Sequence, residues 1–67
     1  MTIAVNADQA RLLRVEDAAR LLNIGRSAVY DLIRSRRLRS VKIGASRRVP
    51  REAIDEVSAQ LIEETTP

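Results

Sequence analysis

The stretch that decides the fold reads Val15-Glu16-Asp17-Ala18-Ala19-Arg20-Leu21-Leu22-Asn23-Ile24-Gly25-Arg26-Ser27-Ala28-Val29-Tyr30-Asp31-Leu32-Ile33-Arg34. Val15, Ala18, Ala19 and Leu22 recur at i, i+3, i+4 and i+7, the spacing of one helical face. Glu16 and Asp17 occupy the first turn, where the helix macrodipole favours acids. Asn23-Ile24-Gly25 ends this helix and turns the chain. A second helix opens at Gly25 or Arg26. Val29, Leu32 and Ile33 line its inner face, leaving Arg26, Ser27, Tyr30, Asp31 and Arg34 outward. Two short helices joined by a Gly-containing turn form a helix-turn-helix.

Past Arg34 the period changes. Leu38, Val41 and Ile43, set among Arg39, Ser40 and Lys42, read as an imperfectly alternating strand. Gly44-Ala45-Ser46 is a turn, and Arg47-Arg48-Val49 returns as a second strand, making a hairpin. Pro50 stops that strand and can open a helix. Ala53, Ile54, Val57 and Leu61 then mark a third helix, from about Arg51 to Ile62. The expected class is α+β, mainly α: a helix-turn-helix, a two-stranded wing and a C-terminal helix, spanning residues 12–62. Residues 1–11 show no sustained period and read as a flexible leader; residues 63–67 read as a frayed tail. No internal repeat is evident.

Charge is unevenly placed. From Arg26 to Arg51 there are nine basic residues and one acid, Asp31, while the rest of the chain holds three basic residues and eight acids. Such a split puts a positive field on one face, the footprint of a nucleic-acid binder. The 67 residues allow one small domain, which buries only about 60% of its unfolded surface. With no Cys and no His, disulfides, thiol chemistry and the usual zinc sites are excluded, and stability rests on an aliphatic core. No apolar run approaches the roughly 20 residues of a membrane span. The N-terminus lacks the features of a signal peptide, so a cytoplasmic location is expected.

The second helix carries the sharpest candidates. A helix fits the major groove, and residues at its N-terminus reach base edges. Arg26 could grip guanine O6 and N7 with two hydrogen bonds; the bland alternative is a solvated charge. Ser27 and the free backbone N–H groups could hold a phosphate. Tyr30 could reach phosphate through its hydroxyl, or could simply fill the core. Asp31 would repel phosphate; it could accept a hydrogen bond from cytosine N4, but a structural pair with a nearby arginine, such as Arg34 at i+3, is expected. Arg34, Arg36, Arg37 and Arg39 are expected to meet phosphates rather than bases. At the hairpin, Lys42, Ser46, Arg47 and Arg48 are candidates for the adjacent minor groove or its phosphates; the alternative is a basic edge strand that discourages sheet pairing. Arg47 and Arg48 point to opposite faces of a strand, so one of them is expected to touch DNA. The third helix is acidic through Glu52, Asp55, Glu56, Glu63 and Glu64, so its outer face is expected to turn away from DNA. It completes the core and could also offer a protein-binding surface. An enzyme is not expected: there is no His or Cys, no Gly-rich phosphate loop and no room to enclose a substrate. No cofactor or metal is expected either.

Residues Leu12 to Ile33, with Val41-Lys42-Ile43-Gly44 and Arg48-Val49-Pro50-Arg51-Glu52-Ala53-Ile54, resemble the excisionase-type DNA-binding domain, a winged helix-turn-helix related to MerR-type regulators. The resemblance covers residues 12–62. It implies a second helix in the major groove and a wing against the adjacent minor groove or backbone. Three positions depart from the family pattern. Gly25 stands where a Ser cap is frequent, Asp31 where a basic residue is common, and Arg47 where an aromatic is common.

A free-standing domain of this type resembles a phage or mobile-element excisionase, a recombination directionality factor in a bacterial host cell. The resemblance implies no catalysis, double-stranded DNA as partner, copies self-associating on tandem sites, DNA bending, and help to a tyrosine integrase. Two other readings stay open: a small AlpA-like, MerR-related transcriptional regulator, and a protein-interaction adaptor working through the third helix.

Overall fold

The computed structural model of the chain describes residues 10–65. Its elements run β1 (Leu12–Arg14), α1 (Val15–Leu22), α2 (Arg26–Arg34), β2 (Val41–Ile43), β3 (Ser46–Pro50) and α3 (Arg51–Thr65). α1 and α2 form the helix-turn-helix, and β2 and β3 form the wing, so the fold is a winged helix-turn-helix. Asn23 stops α1 in the left-handed conformation, at φ 56°. Asparagine is one of the few residues that adopt it readily. The wing turns on Gly44 and Ala45, with Gly44 at φ 60°. A positive φ at the first of two loop residues matches a hairpin turn whose twist suits the flanking strands.

The sheet is larger than the wing alone. It is antiparallel with three strands in the order β1-β3-β2. Leu13 pairs with Val49 and Arg14 with Arg48, so the segment just before α1 is stitched to the second wing strand. Arg11 adds to this join: its carbonyl accepts a hydrogen bond from the Arg51 N–H at 2.8 Å. Ala10 packs against the core. The expected leader therefore includes two residues that are tied to the domain; the rest of it, residues 1–9, lies outside the described residues.

Leu13, Val15, Ala18, Ala19, Val29, Leu38, Val49, Ala53, Ile54 and Val57 make one buried cluster drawn from five of the six elements and the α2–β2 connection. Among the described residues no polar or charged side chain is buried.

Two further expectations are corrected. Leu38 is not a strand residue. α2 ends at Arg34, and Arg36 and Arg37 donate their N–H groups to Ile33 and Leu32 carbonyls at 3.0 and 2.9 Å. This crossed pair is the Schellman closure of a helix C-terminus. It rolls Leu38 into the core, where it is 1% exposed. The third helix does not fray at Ile62. It continues through Glu63 and Glu64 to Thr65, whose hydroxyl donates to the Leu61 carbonyl at 2.9 Å.

Candidate nucleic-acid interface

The N-terminus of α2 is open. Gly25 is the cap residue, at φ −73° and ψ 160°, and offers no side-chain hydrogen bond to the first turn. The first N–H groups of a helix have no partner within it. Here they are left with the positive end of the macrodipole. No acid lies in that turn, whereas α1 carries Glu16 and Asp17 in its own. Arg26 and Ser27 stand exposed beside these groups. The arrangement suits an anion, with Arg26 available to reach past it.

Sheet register decides how the wing arginines point. Val49 is buried, so its face of β3 looks inward, and Arg47, two residues earlier, shares that face. Arg47 is paired with Lys42, which therefore lies on the same side. Arg48 points the opposite way, in a row with its strand neighbours Arg14 and Val41; Ser46 and its partner Ile43 lie on that side too. Arg47 is also fixed laterally, because its guanidinium donates to Ser40 Oγ at 2.7 Å. Arg48 donates to the Arg47 carbonyl at 3.0 Å.

Between α2 and the wing runs an open groove of about 560 Å³, lined by Tyr30, Ile33, Arg34, Arg36, Leu38, Arg39, Ser40 and Arg47. Tyr30 is not simply outward, as helical spacing suggests. It is half-buried and packs against the core, because β3 and the start of α1 close over that side of α2. It borders both this groove and a smaller one formed with Arg14, Glu16, Arg47 and Arg48. Tyr30 therefore packs against the core while bordering both grooves.

The basic segment is not uniformly free. Arg34 pairs with Asp31, the expected i+3 partner. Arg37 pairs with Glu64. Arg39 makes a two-pronged contact to Glu56, with Nη2 to Oε1 at 2.6 Å and Nε to Oε2 at 3.2 Å. That hydrogen bond, then the Glu56 charge, pushes the Arg39 guanidinium further up from its ordinary value. Arg26, Arg36 and Lys42 have no ion pair among the described residues. Exposed pairs are worth about 0–1 kcal/mol each, so these contacts steer side chains more than they hold the fold. Sequence reasoning missed Ser40 and the diversion of Arg37 and Arg39 to α3. The acidic pattern of α3 was the one available signal, and the pairs span 17 and 27 residues.

The Helix-turn-helix domain family matches residues 12–60. A probable excisionase of Saccharopolyspora erythraea is 51% identical over 51 residues, covering 76% of this chain and 52% of that protein. An excisionase of Streptomyces ambofaciens is 56% identical over 43 residues, covering 64% of this chain and 69% of that one. The chain belongs to the excisionase-type helix-turn-helix family. It spans about half the length of the first of these relatives. No solved structure matches it significantly. Among the described residues, no helix is long and apolar enough to cross a membrane.

Proposed function

We propose that this chain is a recombination directionality factor. It binds double-stranded DNA beside an attachment site with α2 in the major groove and the wing in the adjacent minor groove. The observation that carries this reading is the open N-terminus of α2, with Arg26 and Ser27 exposed and no acid in its first turn, on the helix that also borders the arginine-lined groove reaching Arg47. If α2 lies in one groove and the wing in the next, the intervening phosphate strand crosses the α2–wing groove. Tyr30, Arg34, Arg36, Ser40 and Arg47 are then its neighbours. The excisionase names of the two relatives support the recombination role.

The chain acts without chemistry of its own. One domain reaches few base pairs, so useful specificity calls for several copies side by side on tandem sites. Such an array bends DNA, and the deformation cost is offset by phosphate and wing contacts. The bent site lets a tyrosine integrase join distant arms in the excisive direction, in the cytoplasm of a bacterial host. The test is a recombination assay with purified protein, the integrase encoded nearest to it and a plasmid carrying both attachment sites. Excision should require the protein, and integration should be unchanged or inhibited. Excision that proceeds equally well without it, together with a nearby promoter that responds to it, would make it a regulator instead.

A further inference from the structure

Two arginines that follow α2 hold carboxylates of α3. Arg39 borders the α2–wing groove yet turns its guanidinium to Glu56 on α3. Arg37, two residues before it, is taken up by Glu64, about two turns further along α3 than Glu56. Glu52 adds to the negative potential at Arg39. A two-pronged carboxylate contact on a guanidinium uses the same donors, in the same fork, that a phosphate would use. The Arg39–Glu56 pair is solvent-exposed, with about half of each side chain accessible (59% and 53%). Such a pair changes an equilibrium by a factor of about five at most. It is therefore weak enough to be exchanged for a phosphate, and strong enough to reduce what that exchange yields.

We propose that Glu56 and Glu64 are internal competitors of the DNA backbone: they occupy Arg39 and Arg37 and so set how many phosphates the chain neutralises. The carboxylates on α3 thereby restrain the sequence-independent part of binding, on which competing genomic DNA draws, while Arg26 and Ser27, which hold no acid, keep their full reach. Glu56 has the larger effect, because Arg39 lines the groove and Arg37 does not. This inference rests on the DNA-binding reading above.

The experiment titrates the full chain onto a labelled random-sequence duplex between about 0.05 and 0.3 M salt, a range over which phosphate contacts dominate the affinity. A newly engaged phosphate steepens the slope of log K against log salt by about 0.9, equivalent to about eightfold at 0.1 M salt relative to 1 M. Glu56→Gln should bind roughly two- to fivefold tighter at 0.1 M, with a steeper slope. Glu64→Gln should gain less. The control Asp55→Asn/Glu63→Gln removes two charges from α3 at residues that hold neither Arg37 nor Arg39, and should gain less than about twofold. In an Arg39→Gln background, Glu56→Gln should bring no gain beyond that control. A melting curve by circular dichroism checks each fold; where Glu56→Gln unfolds, Glu56→Ala, which has no carboxylate and suits a helix, takes its place with the same expected gain. A Glu56 variant that matches the control in affinity and slope overturns the proposal while leaving DNA binding intact. A wild-type chain with no affinity for DNA at low salt overturns the DNA-binding reading and this proposal together.

Discussion

At its N-terminus α2 begins on Gly25 without a side-chain cap, and Arg26 and Ser27 stand exposed with no acid in the turn. At its C-terminus the same helix runs into a closed Schellman turn, a buried Leu38, and arginines held by acids from α3 and from α2 itself. Both ends are basic in sequence, yet the first is open to a ligand and the second is built into the fold. A run of arginines is therefore not a uniform interface. What each one is free to touch depends on which carboxylates the tertiary structure brings near it.

The sharpest way to break this comparison is stability. Leu38→Ala should destabilise the domain by about 2–5 kcal/mol, since it opens a cavity where α2, the connection and the core meet. For a chain of this size that is about half of the expected total. Arg26→Ala should stay within about 0.5 kcal/mol of wild type. Urea denaturation measures both, and equal losses at the two ends would remove the distinction.

Much of this was legible in the sequence. The i, i+3, i+4, i+7 spacing marked α1, and the change of period after Arg34 together with Gly44 marked the wing. The Asp31–Arg34 pair followed from helical spacing alone. What escaped was non-local or lacked its usual signal. β1 is only Leu-Leu-Arg, too short to show a period, and it becomes a strand because Leu13 finds Val49 across the fold. The Schellman turn normally announces itself with Gly, but here Arg36 occupies the left-handed position at φ 64°. Tyr30 was read outward by helical spacing, with core filling as the alternative, and it is half-buried against the core. The diversion of Arg37 and Arg39 depends on where α3 lies, which no local pattern states.

Binding gives the second largest expected effect. Arg26→Ala should cost about 1–3 kcal/mol on the preferred site and relax preference at one base position, because a two-pronged contact to a base edge is lost. Selection from a randomised site library reads this directly. A variant with the wild-type profile would move Arg26 from base reading to backbone contact and blur the difference between the two ends.

Arg36 sharpens the comparison from the other side. It lines the groove and carries no acid partner among the described residues, yet it sits in a conformation that suits glycine. A non-glycine residue there costs roughly 1–2 kcal/mol, part of which glycine gives back through its freer unfolded chain. Arg36→Gly should therefore raise stability by about 0.5–1 kcal/mol. If Arg36 meets a phosphate, the same change should weaken binding and reduce the salt slope by about one. A gain in melting temperature with unaltered salt dependence would make Arg36 a strained residue without a DNA role.

The smallest effect is expected at Gly25. Its backbone already has the extended geometry of a helix cap, and no residue beyond its two chain neighbours comes within 4 Å of where a Cβ would be. Serine fits that position without strain, and its hydroxyl would accept a hydrogen bond from a first-turn N–H. Relative to glycine the cap stabilises by only a few tenths of a kcal/mol. That hydroxyl, however, takes a donor the open turn would otherwise aim at a phosphate. Gly25→Ser should then be slightly more stable and bind DNA slightly more weakly, with the base preference set by Arg26 unchanged. Melting curves and titrations at one salt concentration measure the two signs. Opposite signs would tie the open helix end to the ligand; a variant that gains in both would show that the missing cap serves no contact.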